Sequence, residues 1–176
     1  MDGNAFTYNG KSWKASSAGI SVSDISCASP AFCVAINSYE AATYNGTSWS
    51  APATVSANDA LVSVSCPTAS FCLAVSSLGN SCAYDGSGWG AKTPFDTAAA
   101  DVSQVSCASA TLCVAIDQDG LAAVYTGTWS APMRLAVAVL DSVSCPSATF
   151  CLVDGGGTFY SFNGKKWSTG QDVDAP

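Results

Sequence analysis

No histidine occurs anywhere in the 176 residues, and glutamate and arginine occur once each, as Glu40 and Arg134. Without an imidazole, no Ser-His or Cys-His nucleophile can be assembled. Two aspartates could flank a glycosidic bond, but no pair is marked out by its neighbours. Charged residues make up 11% of the chain, less than half the usual share. Thirteen acids outnumber six bases, giving a net charge of −7. That balance opposes binding to nucleic-acid phosphates and to anionic lipid. No apolar run approaches eighteen residues, so no membrane-inserting helix is expected. No segment of twelve residues carries a 3.6-residue pattern; Ala98–Ala100 and Leu135–Leu140 read as loops or part-strands. There is no phosphate-cradling glycine loop, and Gly155-Gly156-Gly157 reads as a turn. These absences predict a protein that is not an enzyme and holds no cofactor and no metal.

What is present repeats. Two cysteines six positions apart occur four times, as Cys27/Cys33, Cys66/Cys72, Cys107/Cys113 and Cys145/Cys151. The first cysteines of successive pairs are 39, 41 and 38 residues apart. Each pair is followed by an aromatic-x-Gly turn and a tryptophan. These are Tyr44 with Trp49, Tyr84 with Trp89, Tyr125 with Trp129, and Phe162 with Trp167. A fifth turn without a cysteine pair, Tyr8-Asn9-Gly10 with Trp13, opens the chain. A period near forty signals stacked or radial units.

One unit reads as four short strands. Leu61–Cys66 alternates apolar and small polar residues, Phe71–Val75 is continuously apolar, Ser81–Tyr84 ends at Asp-Gly, and Trp89 begins a segment with Pro94 near its end. Four antiparallel strands per forty residues make a blade of a β-propeller; a β-sandwich and a β-solenoid are the rivals. The expected fold is all-β, a single propeller over 1–176, with a partial blade at 5–20 and blades at 21–56, 57–97, 98–136 and 137–172. The unmatched opening hairpin leaves three outcomes open. Four blades close and the hairpin is a flap; a five-bladed ring takes its missing half-blade from another chain, giving a homo-oligomer by hairpin exchange; or the chain is a piece of a larger ring.

Hairpin disulfides Cys27–Cys33, Cys66–Cys72, Cys107–Cys113 and Cys145–Cys151 are expected from the pairing, with buried thiols and a metal site as rivals. Cys82 is left over, as a small core residue or a reactive thiol, and is expected to alkylate without reductant. Disulfides place the protein outside the cell or on its surface. The polar start Met1-Asp2-Gly3-Asn4 is not a signal peptide, so Met1 is read as a start on an excised or engineered piece of an exported protein. The five tryptophans, with Tyr44, Tyr84 and Tyr125, are either inter-blade core or a repeated platform for sugar rings. Lys11, Lys14, Lys92, Arg134, Lys165 and Lys166 fall at or after the tryptophan segments and read as protection of an outer edge. Asp24, Glu40, Asp59, Asp96, Asp101, Asp117, Asp119, Asp141 and Asp154 read as one polar loop face. Asp117-Gln118-Asp119-Gly120 is its best cation candidate.

Ser144-Cys145-Pro146-Ser147 with Phe150-Cys151, and Tyr44-Asn45-Gly46 with Trp49-Ser50, resemble repeats of exported bacterial β-propeller proteins of the actinobacterial soil type. Asp85-Gly86-Ser87-Gly88-Trp89 is similar to the Asp-box turn of sialidase-type propellers, but its Asp and Gly are adjacent where the box separates them by one residue. Sialidase catalysis needs an arginine cluster, which Arg134 alone cannot supply. Small propellers of this repeat size are often lectins, so the resemblance implies a secreted, non-enzymatic, carbohydrate-binding module with repeated sites. The alternative is a structural or protein-interaction propeller.

Overall fold

The computed structural model describes residues 3–8, 10–96 and 101–172; the predicted part-strand Ala98–Ala100 lies outside them. The described residues form strands, turns and loops, with no helix. Leu135–Leu140 is a loop. A two-stranded hairpin, β1 (Asn4–Tyr8) and β2 (Trp13–Ser17), opens the chain. The first four-stranded sheet is β3 (Asp24–Ser29), β4 (Phe32–Ile36), β5 (Glu40–Tyr44) and β6 (Ala53–Thr54). The second is β7 (Leu61–Thr68), β8 (Phe71–Ser76), β9 (Asn80–Tyr84) and β10 (Thr93–Pro94). The third is β11 (Val102–Ser109), β12 (Leu112–Asp117), β13 (Leu121–Tyr125) and β14 (Met133–Arg134). The fourth is β15 (Ser142–Ser147), β16 (Phe150–Gly155), β17 (Thr158–Phe162) and β18 (Gln171–Asp172). Every sheet is antiparallel in sequence order.

The second strand of each sheet is the most buried, because it lies between its neighbours and under the adjoining sheet. Val34, Leu73 and Val114 have essentially no exposed surface. Tyr44–Trp49, Tyr84–Trp89, Tyr125–Trp129 and Phe162–Trp167 are isolated antiparallel bridges. The fourth strand then breaks away and rejoins only over two residues. The sequence reading ran this strand unbroken from Trp89 to Pro94. The break falls at Ser50-Ala51-Pro52 and Ala131-Pro132, where proline cannot donate to a ladder, and at Gly90-Ala91-Lys92 and Ser168-Thr169-Gly170, which hold no proline. The opening hairpin has no such insert and pairs without interruption from Tyr8↔Trp13 to Asn4↔Ser17.

The tight turns after the aromatic residue have a local cause. Asn45 Oδ1 accepts the N–H groups of Thr47 and Ser48, Asp85 Oδ1 those of Ser87 and Gly88, and Asn163 Oδ1 those of Lys165 and Lys166. The following glycine takes φ of +90° at Gly46 and +95° at Gly86, which a side chain would resist.

Sheets join through two repeated devices. Side chains of one first strand accept backbone N–H groups of the next: Asp24 from Val64, Ser26 from Cys66, Ser65 from Cys107, and Ser106 from Cys145. Apolar side chains then fill the space between. Val34 and Ile36 pack with Leu61, Val64 and Cys72; Leu73 and Val75 with Val105 and Cys113; Val114 and Ile116 with Val143 and Cys151. Among the described residues, no core cluster joins the fourth sheet to the first. Ile25 is therefore 47% exposed, whereas its counterparts Val64, Val105 and Val143 are buried, and Phe150 is 43% exposed at the other end.

All four cysteine pairs are disulfides. Their Cα atoms are 3.9–4.1 Å apart, closer than the ~5.5 Å usual for a disulfide. Cys27 and Cys33 face one another directly across β3 and β4, as do Cys107 and Cys113 across β11 and β12.

The ninth cysteine is the small core residue the sequence suggests, but its setting opposes the expected alkylation. Cys82 is buried on β9 with its Sγ against the Val55 carbonyl, and burial raises its thiol pKa. Both effects suppress the thiolate, the reactive form. Iodoacetamide should modify no thiol of the native protein at an appreciable rate and one thiol after urea unfolding without reductant. Mass spectrometry checks the count.

Candidate functional site

The five aromatic turns place the predicted site residues in one geometry. Ring centroids are 5.0 Å apart in Tyr8–Trp13, 5.3 Å in Tyr44–Trp49, 5.5 Å in Tyr84–Trp89, 5.3 Å in Tyr125–Trp129 and 5.1 Å in Phe162–Trp167. The planes are tilted or edge-on, as the ring quadrupole favours. Trp49, Trp89, Trp129 and Trp167 are half-buried and pack at the edges of four separate core clusters. Trp13 is 67% exposed.

Between successive sheets each tryptophan forms one wall of an outer cleft. Trp89 and Tyr84 face Ala41, Thr43, Ser50 and Thr54 across about 290 Å³. Trp129 and Tyr125 face Ser81, Ala83 and Thr93 across about 220 Å³. Trp167 and Phe162 face Ala122, Val124, Ser130 and Met133 across about 360 Å³. Each cleft thus combines an aromatic wall from one sheet with small polar and apolar groups from the preceding one.

The clefts are not equivalent, which the sequence reading missed. Trp129 Nε1 donates to Ser81 Oγ at 2.8 Å, and its ring stacks on Phe95 at 4.1 Å. Trp49 Nε1 donates to Ser16 Oγ at 3.1 Å. Ala41 and Ala122 stand where Ser81 would, so Trp89 and Trp167 have no such acceptor. Val55 and Leu135 stand in place of Phe95, so neither indole is covered by a stacked ring. The signal was present in the repeat alignment as Ala41/Ser81/Ala122, but it carries meaning only once the facing tryptophan is known.

The predicted acidic face is divided. Asp59 is buried and accepts from Ser76 Oγ at 2.6 Å and Asn80 Nδ2 at 2.7 Å, with Lys92 Nζ at 3.7 Å. Asp96 is also buried. Asp117 is 1% exposed; its Oδ1 accepts the N–H groups of Asp119 and Leu121, and its Oδ2 has no partner. These carboxylates tie linkers and turns to the sheets. Among the described residues no three acid, cysteine or histidine side chains converge as a metal site would require. The bases serve similarly: Arg134 Nη1 donates to the Asp119 and Ala136 carbonyls, and Lys92 approaches Asp59.

Burial raises the Asp117 pKa, and the charges of Asp96 and Asp119 act in the same direction, against two N–H bonds that lower it. The ionised form is thus penalised in the folded state. Stability should rise as pH falls from neutral through the folded pKa, and that gain should be complete near the unfolded value of ~3.9. Asp117→Asn keeps the accepting oxygen and should flatten this slope in urea unfolding between pH 7 and pH 4. Asp85 acts in a lower window. The Ser87 hydroxyl, then the Ser87 and Gly88 N–H groups, hold its pKa below the ordinary value, so its contribution is lost as pH falls through that lowered pKa.

No family model matches the chain, and no curated protein matches it. Solved structures do. YCF48 bound to D1 peptide aligns at TM-score 0.62 and 13% identity, over 88% of this chain and 55% of that one. The WD40 β-propeller domain of Doa1 aligns at TM-score 0.66 and 12% identity, over 88% and 55%. The chain is a β-propeller in fold. It spans about half the length of these solved propellers, and its four-stranded sheets are blades. The similarity extends to architecture alone, so the clefts must be judged on their own residues. Among the described residues no helix is long and apolar enough to cross a membrane.

Proposed function

We propose that this propeller is a non-catalytic binding module, exported to an oxidising compartment, that holds carbohydrate in clefts between its blades. The supporting observation is the pair of clefts walled by Trp89 and Trp167, whose indole N–H groups lack the serine acceptor that engages Trp129. A sugar ring offers an apolar face for the aromatic wall and hydroxyls for the indole N–H and for Thr43, Ser50 or Ser130. Each cleft is shallow and single-site affinity is weak; two clefts on one rigid array gain through multivalency when the glycan is dense. Four disulfides favour an extracellular setting.

A printed glycan array probed with labelled protein tests the reading. Binding that rises with printing density and is lost in Trp89→Ala/Trp167→Ala supports it. No binding at any density rejects it. A protein ligand is the second reading, favoured by the solved YCF48 structure having been determined with a peptide bound. In that case a peptide display selection, and not the array, should return binders sensitive to the same double substitution.

A further inference from the structure

The opening hairpin matches the outer half of a blade, and no inner half accompanies it among the described residues. Gly3-Asn4, Tyr8 and Trp13 have the same spacing as Gly79-Asn80, Tyr84 and Trp89. In the second blade β9 lies between β8 and β10. Among the described residues its counterpart β1 pairs with β2 alone, leaving one edge with no strand partner. Beside that edge lies an apolar groove of about 460 Å³, walled by Phe6, Tyr8, Ile25, Cys33, Tyr44 and Trp49.

The molecule itself shows what fits such a groove. Ile25, Cys33, Tyr44 and Trp49 are the first-blade counterparts of Val64, Cys72, Tyr84 and Trp89. Those second-blade residues are covered by Phe32, Val34 and Ile36 of β4. The third blade is covered in the same way by Phe71, Leu73 and Val75, with Phe71 against Tyr125 at 6.2 Å. The pattern is an aromatic or leucine, then two branched aliphatics, at alternate positions of a strand. Backbone complementarity follows as well: Ser26 Oγ accepts from Cys66 N–H, so a serine one residue before the first cysteine of an incoming strand would meet Cys27 N–H.

We infer that this groove is a docking site for an inner β-hairpin of the chain's own repeat type, Ser-Cys…(Phe/Leu)-Cys-(Val/Leu)-x-(Ile/Val), added antiparallel to β1. A second intact copy cannot supply it. Each inner hairpin of a copy is already bonded to its own third strand, so donation would dismantle a blade. The donor is therefore an inner hairpin other than the four already built into these blades, and recognition is by strand addition with pockets for alternate side chains. The site is distinct from the glycan clefts and does not depend on them.

The test titrates the full chain with an oxidised synthetic peptide of sequence 61–76, followed by tryptophan fluorescence and calorimetry. Saturable 1:1 binding is expected, weakened at least about tenfold by Ile25→Lys in the chain and by Phe71→Ser/Leu73→Ser/Val75→Ser in the peptide. Ile25 is exposed, so the lysine variant should fold, as near-UV dichroism will report. In a second measurement, sequence 61–79 is fused directly ahead of Asn4 and should raise Tm by roughly 5 °C or more. No binding up to about 1 mM peptide, equal binding of the serine peptide, or an unchanged Tm in the fusion would each overturn the inference. So would a dimer of the free chain that Ile25→Lys dissociates, since a second copy would then cover the groove. Glycan binding should be indifferent to all of these changes, so the two readings fail separately.

Discussion

Full reduction should unfold this protein at room temperature. Each disulfide closes a loop with a sequence separation of six. In the chain-entropy account such a loop contributes about 2–3 kcal/mol. Four together contribute on the order of 10 kcal/mol, which is comparable to the whole stability of a domain this size. The bridges fasten the first two strands of every blade, so each acts on a different sheet. Replacing one central bridge, as in Cys107→Ser/Cys113→Ser, should lower Tm by roughly 5–10 °C without abolishing the fold. Far-UV dichroism during titration with a phosphine reductant gives the full effect; calorimetry of the single-bridge variant gives the increment. A reduced chain that stays folded would mean that blade packing alone suffices.

The second large effect separates the tryptophans from one another. Trp129→Ala should cost about 2–3 kcal/mol, below the range for a fully buried tryptophan because the ring is only half-buried. The substitution removes the stack on Phe95 and leaves Ser81 Oγ without its indole donor. Trp13→Ala should change stability by less than about 0.5 kcal/mol, since the ring is mostly in water. Trp89→Ala and Trp167→Ala should fall between these, and should lose ligand where Trp129→Ala, once refolded, does not. Urea unfolding of the four variants measures the order. Equal costs at Trp129 and Trp13 would contradict the packing described above.

The repeat made most of the architecture legible. Cysteine spacing, Asn-Gly and Asp-Gly turns, and strand-two runs such as Phe71–Val75 all depend on local chemistry, so they can be read without coordinates. What could not be read depends on what faces a residue across the sheet-to-sheet gap. Asp59 and Asp117 look like loop acids in the sequence, yet they are buried because linkers fold back onto the blade ends. Cys82 reads as a small core residue and is one, but the Val55 carbonyl that it faces is invisible in the sequence. Five tryptophans look equivalent, yet one serine at position 81 and one phenylalanine at position 95 commit Trp129 to structure. The gap beside β1 was legible as an unmatched hairpin, but its shape emerged only from Ile25 being exposed where Val64, Val105 and Val143 are not.

The central functional claim is that two of the five indoles are held ready for a ligand while two are engaged by serine. The ¹H–¹⁵N spectrum of the indole N–H groups, recorded during titration with methyl glycosides of the common hexoses and N-acetylhexosamines, tests it most directly. The Trp129 and Trp49 signals should exchange slowly with solvent and stay fixed, while those of Trp89 and Trp167 shift together with at least one sugar. Static Trp89 and Trp167 signals beside a moving Trp129, or no movement with any sugar, would contradict it.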